Sequence, residues 1–256
     1  MRLFLVLCLL FFTSVSAKAA DMRFIQVDGA LFDKANLPQF ENLIEKINKE
    51  KDVEFVVFTG NNIAKPNPKL LGKFLETANN LKQPFYIVLG QKDVNRQKHL
   101  SKDDYVEIVR RNVKNHKKIT SPNYAFTKKK LVFLVADGSK DLIPMSMGYY
   151  KDDVLEWLDA QLTSNSDKNV IILQHYPIIP PSKRESHYTY KAEEYLKVLE
   201  KHKNVKAIVA GHFGVNHEQK INGIMHIATK EAPCYRIIDI IDYETENPTF
   251  WSTIKE

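Results

Sequence analysis

Five short segments of the sequence combine residue types that can bind metals or anions. They cover residues 26–30, 59–61, 89–93, 174–177 and 210–214, and several join a glycine to an Asp, Asn, Lys or His. Each segment follows a short apolar run. Loops at the carboxyl ends of sheet strands often carry binding and catalytic residues. We therefore expect the five segments to meet at one edge of a sheet.

The apolar runs before these segments are rich in Val, Ile and Phe and alternate with amphipathic stretches. They predict strands at residues 24–27, 55–58, 85–89, 132–135, 170–173 and 207–210. Apolar positions in 37–47 and 154–162 each fall on one helical face, and Asp152 and Asp153 favour a helix start. Strand-like segments at 219–227, 235–242 and 250–254 predict hairpins. This order predicts an α/β fold with α+β character, in which a two-layered β-sheet core is flanked by helices.

The order and spacing of the five segments resemble the calcineurin-like metallophosphoesterases, whose loops read D-x-H, G-D, G-N-H-D/E, H and G-H-x-H. The resemblance covers nearly all of the chain after residue 20, and it implies the fold of that family as a single domain over residues 21–256. It also implies two divalent metals, bridged by the aspartate of G-D, that activate water for attack on a phosphate ester.

The first metal site of the family keeps few of its ligands in this sequence. The aspartate of D-x-H is Asp28, but its histidine position is Ala30, and the bridging carboxylate position is Asn61. A neutral amide does not offset the repulsion between two close dications as a carboxylate does. The resemblance therefore implies that the first site is empty.

The second metal site keeps two imidazoles. The asparagine and histidine of G-N-H are replaced by Gln91 and Lys92, whereas the isolated histidine is His175. The last motif keeps His212 but has Gly214 in place of its second histidine. Lys92 is the candidate catalytic residue, because its ammonium can supply the positive charge that an ion would supply.

These residues leave two alternatives for a cofactor: one divalent metal, which would be Zn, Mn or Fe, or no metal at all. The candidate metal ligands are His175, His212, Asn61 and Asp28. The candidate ligand-binding residues of the cleft are Asp28, Asn61, Gln91 and Lys92.

The other titratable and polarisable residues are interpreted as structural. Four histidines are assigned to surface or hydrogen-bonded positions: His99, His116, His187 and His202. His217, three residues after Gly214, is an alternative ligand, and His226 is assigned to a strand. Asp33, Asp93 and Asp137 are candidate charges at the rim. The Met and Tyr side chains of residues 145–150 are expected to pack.

The first 20 residues predict a secretory signal peptide, since residues 3–12 are all apolar and small residues follow. This run is shorter than the roughly 20 residues that cross a bilayer, so we expect a secreted or periplasmic protein without a stable membrane anchor.

Cleavage of the signal peptide would leave Cys234 as the only cysteine, which excludes an internal disulfide. It would also lower the formal net charge from +6 to +4, and the lysines are scattered, so nucleic acid is not an expected partner.

Three functions remain open. The favoured one is an impaired or inactive phosphoesterase homologue that binds a phosphorylated or anionic small molecule through Lys92 and the histidines. The second is an active phosphoester hydrolase with one metal at His175 and His212, in which Lys92 stabilises the charge of the transition state. The third is a protein-interaction module with a vestigial cleft, whose partner the sequence does not identify.

Overall fold

The computed structural model describes residues 20–256. The predicted signal peptide, residues 1–20, lies outside this range except for Ala20. Among residues 20–256, none of the helices combines the length and the apolar composition needed to cross a membrane.

The described residues form eleven strands and five α-helices. The strands are β1 (Met22–Val27), β2 (Phe55–Phe58), β3 (Phe85–Ile87), β4 (Tyr124–Lys128), β5 (Leu131–Ala136), β6 (Val170–Gln174), β7 (Val205–Ala210), β8 (His217–Ile221), β9 (Ile224–Ala228), β10 (Tyr235–Ile241) and β11 (Thr249–Lys255). The helices are α1 (Leu37–Ile47), α2 (Pro68–Ala78), α3 (Lys102–Asn112), α4 (Asp152–Ser164) and α5 (Ala192–Glu200).

The first sheet has the strand order β11-β10-β1-β2-β3. Strands β1, β2 and β3 run parallel, whereas β10 is antiparallel to both β1 and β11. In the β1–β2 register Val27 lies opposite Phe58. The loops that begin with Asp28 and Thr59 therefore leave the sheet side by side.

The second sheet has the order β4-β5-β6-β7-β9-β8, with β5, β6, β7 and β9 parallel and β4 and β8 antiparallel at the edges. Leu173 of β6 lies opposite Val209 of β7. This register brings the loop that carries His175 next to the loop that carries His212.

The two sheets pack face to face over an apolar core. Phe55 is at its centre, stacked on Phe24 with ring centroids 4.9 Å apart and edge-on to Phe133 at 5.0 Å. Helices α1, α2 and α3 cover the outer face of the first sheet, and α4 and α5 cover that of the second. The predicted α/β fold, with a two-layered sheet core flanked by helices, is therefore confirmed.

Individual elements differ from the sequence-based expectation. Strand β3 ends at Ile87 rather than at residue 89, because the chain turns toward Gly90 after the last sheet bond, from Val88 N to Phe58 O. The segment 219–227 is a hairpin of β8 and β9, which turns at Asn222 and Gly223 with φ of 49° and 84°. Helices α2, α3 and α5 were not predicted.

Candidate functional site

Side-chain contacts join all five predicted loops at one edge of the two sheets. The imidazole of His175 reaches the loop of Thr59 on one side and Gln91 on the other. The carboxylate of Asp28 accepts a hydrogen bond from the backbone N–H of His212, at 3.0 Å. The structure thus brings Asp28, Asn61, Gln91, His175 and His212 together in one cleft.

The carboxylate of Asp28 is buried, with 1% of the residue exposed, and it is held by protein donors. Oδ1 accepts from Thr59 Oγ1 at 3.0 Å, and Oδ2 accepts from the N–H of His212. Gly211 permits this approach, because a Cβ there would lie 1.7 Å from Oδ1. Both carboxylate oxygens therefore take part in hydrogen bonds that hold the loops together.

His175 is completely buried, and both of its ring nitrogens face protein groups. Nδ1 donates to the Thr59 carbonyl at 2.6 Å, since a carbonyl can only accept. Nε2 lies 2.8 Å from Gln91 Oε1. Because Nδ1 carries the proton, Nε2 of a neutral ring can only accept a hydrogen bond. A 180° rotation of the Gln91 amide group places its NH₂, which is a donor, opposite this nitrogen. The nitrogen that a metal would use is thus covered by Gln91.

His212 is the one residue of the set with unused ligand atoms. It is 4% exposed, and neither ring nitrogen has a hydrogen-bond partner within residues 20–256. Burial, together with the neighbouring His175 and His187 rings, lowers the pKa of His212 to about 2. The Ser146 backbone opposes this shift without reaching hydrogen-bond geometry. His212 is therefore neutral and can accept a hydrogen bond from a ligand.

A hydrogen bond joins the side chain of Asn61 to the backbone of Lys92. Asn61 is buried with φ of 52°, and its Oδ1 accepts from the N–H of Lys92 at 3.0 Å. The side chain of Lys92 is exposed and makes no hydrogen bond or ion pair with the other described residues. The bridging position is thus filled by an amide whose oxygen is engaged, while the lysine remains available to a ligand.

Comparison with known proteins identifies the family. A model of the calcineurin-like phosphoesterases matches residues 21–216. This chain belongs to the calcineurin-like phosphoesterase family. A Xenorhabdus bovienii protein named a probable cyclic nucleotide phosphodiesterase is 24% identical over 190 residues, which cover 72% of each chain.

Solved structures share the fold of this phosphoesterase homologue. A dimetal phosphatase from Danio rerio has a TM-score of 0.67 at 14% identity, covering 90% of this chain and 98% of its own. A purple acid phosphatase from yellow lupin has a TM-score of 0.65 at 13% identity, covering 93% of this chain and 54% of its own. At these identities the likeness concerns the fold alone.

Calcineurin-like phosphoesterases usually bind divalent metals, but the donors here do not fit a dinuclear centre. Within residues 20–256, no group of three or more His, Cys, Asp or Glu side chains is arranged to hold an ion. The Asp28 carboxylate accepts hydrogen bonds at both oxygens, Gln91 faces Nε2 of His175, and Asn61 supplies no charge. A catalytic zinc usually has three protein ligands and a water molecule.

Glu231 is a site residue that the sequence analysis missed. A Cβ on Gly29 would lie 2.6 Å from Glu231 Cγ, and one on Gly214 would lie 2.9 Å from Oε2. Glu231 thus lies against Gly29, the residue before Ala30, and against Gly214; Ala30 and Gly214 are the two positions from which imidazoles are missing. It follows β9, which is parallel to β7, so the position of its loop at this edge could have been inferred from the sheet order.

His187, for which the sequence predicts a surface or hydrogen-bonded position, also borders the cleft. Its ring centroid lies 4.6 Å from that of His212, at an interplanar angle of 30°. Arg184, on the same loop, donates from Nη1 to the Phe213 carbonyl at 3.2 Å. Burial and the nearby Arg184 charge lower the pKa of His187. Both residues come from a loop of the chain that no motif marked.

Asp93 and Asp137, two candidate charges at the rim, are buried and paired with protein groups. Asp93 is fully buried and accepts from the N–H groups of Gly90 and Ile63, and burial raises its pKa to about 6. Asp137 is buried and pairs with Lys102 at 2.6 Å. These two acids therefore do not lie at an open rim.

The other expectations have mixed outcomes. His217 lies in β8 opposite Ala228, so it does not replace the missing imidazole at Gly214. Tyr150 packs as expected, at 3% exposed, but Met145 does not, at 41% exposed. A cavity of about 710 Å³ between α5, β7 and the β8–β9 hairpin is not lined by any of the five loops.

Proposed function

We propose that this phosphoesterase homologue binds a phosphorylated or otherwise anionic small molecule in its cleft without hydrolysing it by two-metal chemistry. The proposal rests on one observation: the atoms at the family's metal-ligand positions make hydrogen bonds within the protein. Asp28 and His175 hold the loops together through hydrogen bonds, and Gln91 covers the remaining nitrogen of His175.

The charges around His212 support an anionic ligand. Arg184 and Lys92 provide two exposed cations on different loops, and His212, next to the Phe213 carbonyl that Arg184 contacts, offers a buried ring with unused nitrogens. Arginine and lysine bind phosphate through charge-assisted hydrogen bonds. A protonated phosphate oxygen could donate to His212, which is neutral. The cleft therefore combines positive charge with a buried acceptor.

Metal analysis tests the absence of two-metal chemistry. The purified protein is incubated with Mn²⁺ or Zn²⁺, freed of excess ion and analysed for metal, and its hydrolysis of a generic phosphodiester is measured with and without chelator. We expect less than one equivalent of metal and no hydrolysis that chelator abolishes. Stoichiometric metal together with chelator-sensitive hydrolysis would refute the proposal.

Ligand titration tests the binding part. Inorganic phosphate and a set of nucleotides are titrated calorimetrically, including cyclic nucleotides, because one relative is named as their probable phosphodiesterase. Arg184→Gln and Lys92→Gln should each weaken binding about tenfold, since each removes one charged contact. Lys197→Gln, an exposed lysine of α5, is the matched control and should bind normally. Equal affinity in all three variants would contradict a role for the cleft.

A second candidate function is hydrolysis with a single metal at His175 and His212. It is favoured by the two unused nitrogens of His212 and by the 4.9 Å separation of the two ring centroids. It would require Gln91 to leave Nε2 of His175. In this case His212→Ala and Lys92→Ala should each abolish turnover, and activity that survives both changes excludes it.

Export through the signal peptide remains part of the proposal. Cleavage after residue 20 predicts a secreted or periplasmic protein whose first residue is Asp21. The mass and N-terminal sequence of the protein recovered outside the cytoplasm test this, and an intact Met1 on exported protein would contradict it.

A further inference from the structure

Two loops beside the cleft carry exposed apolar side chains. Leu142 is 60% exposed, Ile143 66%, Met145 41% and Tyr190 51%. They account for four of the five large hydrophobic residues that are exposed within residues 20–256, and Trp251 is the fifth. We call residues 139–151 and 181–191 together the rim surface. Clustered apolar exposure of this kind usually marks an interaction surface.

The two halves of the rim surface are held together as one unit. The N–H of Tyr190 donates to the Gly148 carbonyl at 2.8 Å, and Gly148 and Thr189 form a parallel bridge. The Tyr149 and Tyr190 rings pack with centroids 5.6 Å apart. The exposed residues therefore belong to one connected surface rather than to two independent loops.

The rim surface is also basic. It contains five Lys or Arg residues and two acidic residues, a formal net charge of +3. Lys140 Nζ lies 4.6 Å from the Tyr149 ring centroid and 4.0 Å from Met145 Sδ. Asp141 is paired with Arg96, at 3.2 Å, and so does not oppose Lys140 directly.

We propose that the rim surface docks the protein on an anionic lipid bilayer. Apolar side chains that can enter the acyl boundary, interfacial tyrosines and neighbouring cations together match the chemistry of such a membrane. Leu142 and Ile143 are adjacent in sequence and more than half exposed, so they are free to insert without unfolding the core. Lys191 is paired with Glu194, and the remaining cations still leave the rim surface positively charged. This charge complements anionic headgroups, whereas it would not complement a partner protein with an uncharged or basic face.

Docking would also orient the cleft. His187 of the rim surface lies against His212, and the backbone of Ser146, in the other half, approaches the same ring. The mouth of the cleft and the rim surface therefore lie next to each other. A docked protein would hold its cleft near the phosphate groups of the lipids.

Vesicle co-sedimentation tests this inference. The purified exported protein, with its mass measured, is mixed with phosphatidylcholine vesicles that contain or lack phosphatidylglycerol. We expect sedimentation with the anionic vesicles only, and weaker binding as salt is raised. The double variant Leu142→Ser/Ile143→Ser should bind at least about tenfold more weakly, because it loses most of the apolar insertion. Lys140→Gln should bind about fivefold more weakly and depend less on salt.

The matched control is Trp251→Ser, which removes the exposed apolar residue of β11, outside the rim surface. It should bind like the unsubstituted protein. Failure of the unsubstituted protein to sediment with anionic vesicles would overturn the inference, and so would an equal loss of binding in Trp251→Ser. Self-association without vesicles that is lost in the double variant would also overturn it, in favour of a second copy of the chain. Folding of each variant is checked by its thermal unfolding.

Discussion

Single residues determine the shape of this cleft, and Glu231 is the clearest example. Its carboxylate lies beside Gly214, 2.9 Å from where a Cβ would be. Gly214 itself has φ of 67°, a backbone conformation that costs free energy for residues other than glycine. A histidine at this position therefore meets two separate obstacles, one from the backbone and one from Glu231.

This geometry predicts a coupling between two substitutions. Gly214→His should lower the free energy of unfolding by about 2 kcal/mol, from the positive φ and the contact with Glu231. Glu231→Ala in the same protein should restore about 1 kcal/mol, because it removes the contact and leaves the backbone strain. Urea unfolding of both single variants and the double variant measures the coupling. Strictly additive effects would show that Glu231 does not occupy the space that the histidine needs.

The buried His116 predicts a dependence of stability on pH. Burial lowers its pKa from 6.5 to about 4, so the unfolded chain binds more protons between these two values. Stability should therefore be unaffected by this group above pH 6.5 and fall as the pH decreases to 4, by roughly 3 kcal/mol. His116→Phe should reduce that fall, because phenylalanine does not titrate and the ring gives up only the 3.5 Å contact of Nε2 with the Tyr124 hydroxyl. His226 and His212, whose pKa values are lowered to about 4 and about 2, leave a residual fall in the variant, which the raised pKa of Asp93 partly offsets.

The measurement is urea unfolding between pH 4 and 8 for both proteins. Two curves that remain parallel across this range would show that His116 is not the group responsible.

The order of the motifs was enough to locate Asp28, His175 and His212, because each follows a strand whose neighbours in the sheet could be inferred. No motif marked Glu231 or His187, and although the sheet order places the loop of Glu231 at the same edge, it does not give the contacts of its side chain. Glu231 is about 200 residues from Gly29 in sequence, so their contact exists only in the folded chain. His187 is brought to His212 by the path of a loop, which has no periodicity to interpret.

At the scale of elements, the ends of the helices show where local chemistry decides structure. Helix α3 begins with a capping box, in which Ser101 Oγ accepts from the N–H of Asp104 and the Asp104 carboxylate accepts from the N–H of Ser101. Helix α4 follows Lys151, whose side chain makes no cap. The two starts differ in the number of backbone groups that are satisfied.

Substitution of these two caps should have unequal effects. Ser101→Ala should lower the free energy of unfolding by about 1 kcal/mol, because it leaves the first turn of α3 without its acceptor. Lys151→Ala is the control and should change stability by less than about 0.5 kcal/mol. Denaturant midpoints of the two variants provide the comparison. Equal shifts would mean that the box adds no stability.

Strands with buried faces on both sides were predictable because they are continuous apolar runs, and all six predicted runs lie in or overlap strands. The helices were harder. Helix α3 has a low mean hydropathy and buries only Tyr105 and Val109 fully, so its apolar stripe is faint. Helix α2 carried a usable signal, with Asn67 as N-cap followed by Pro68 at the first position.

For the whole molecule, one buried arginine links the two sheets. Arg236 of β10 is 2% exposed, and its Nε donates to Thr229 Oγ1 at 2.9 Å. Its Nη1 pairs with Glu218 of β8, and its Nη2 donates to the Ala228 carbonyl at the end of β9. The guanidinium thus joins the first sheet to the far edge of the second.

Removal of this link should be costly. Arg236→Met should lower the free energy of unfolding by about 3 kcal/mol, because buried acceptors lose their donor. The control is Arg23→Met on β1, whose pair with Asp239 is partly exposed and lies within one sheet. We expect a loss of about 1 kcal/mol there. Calorimetric unfolding of both variants distinguishes them, and equal losses would argue against a special role for the link between the sheets.

The antiparallel pairing of β1 with β10 has a consequence for the moment at which the protein can fold. Met22 of β1 lies opposite Ile240 of β10. Strand β1 is synthesised early and β10 late, so their pairing cannot form until most of the chain has been made. Contacts between residues so distant in sequence form slowly. The first sheet of a nascent chain is therefore completed only after β10 has been synthesised, which places the closure of this sheet near the end of synthesis.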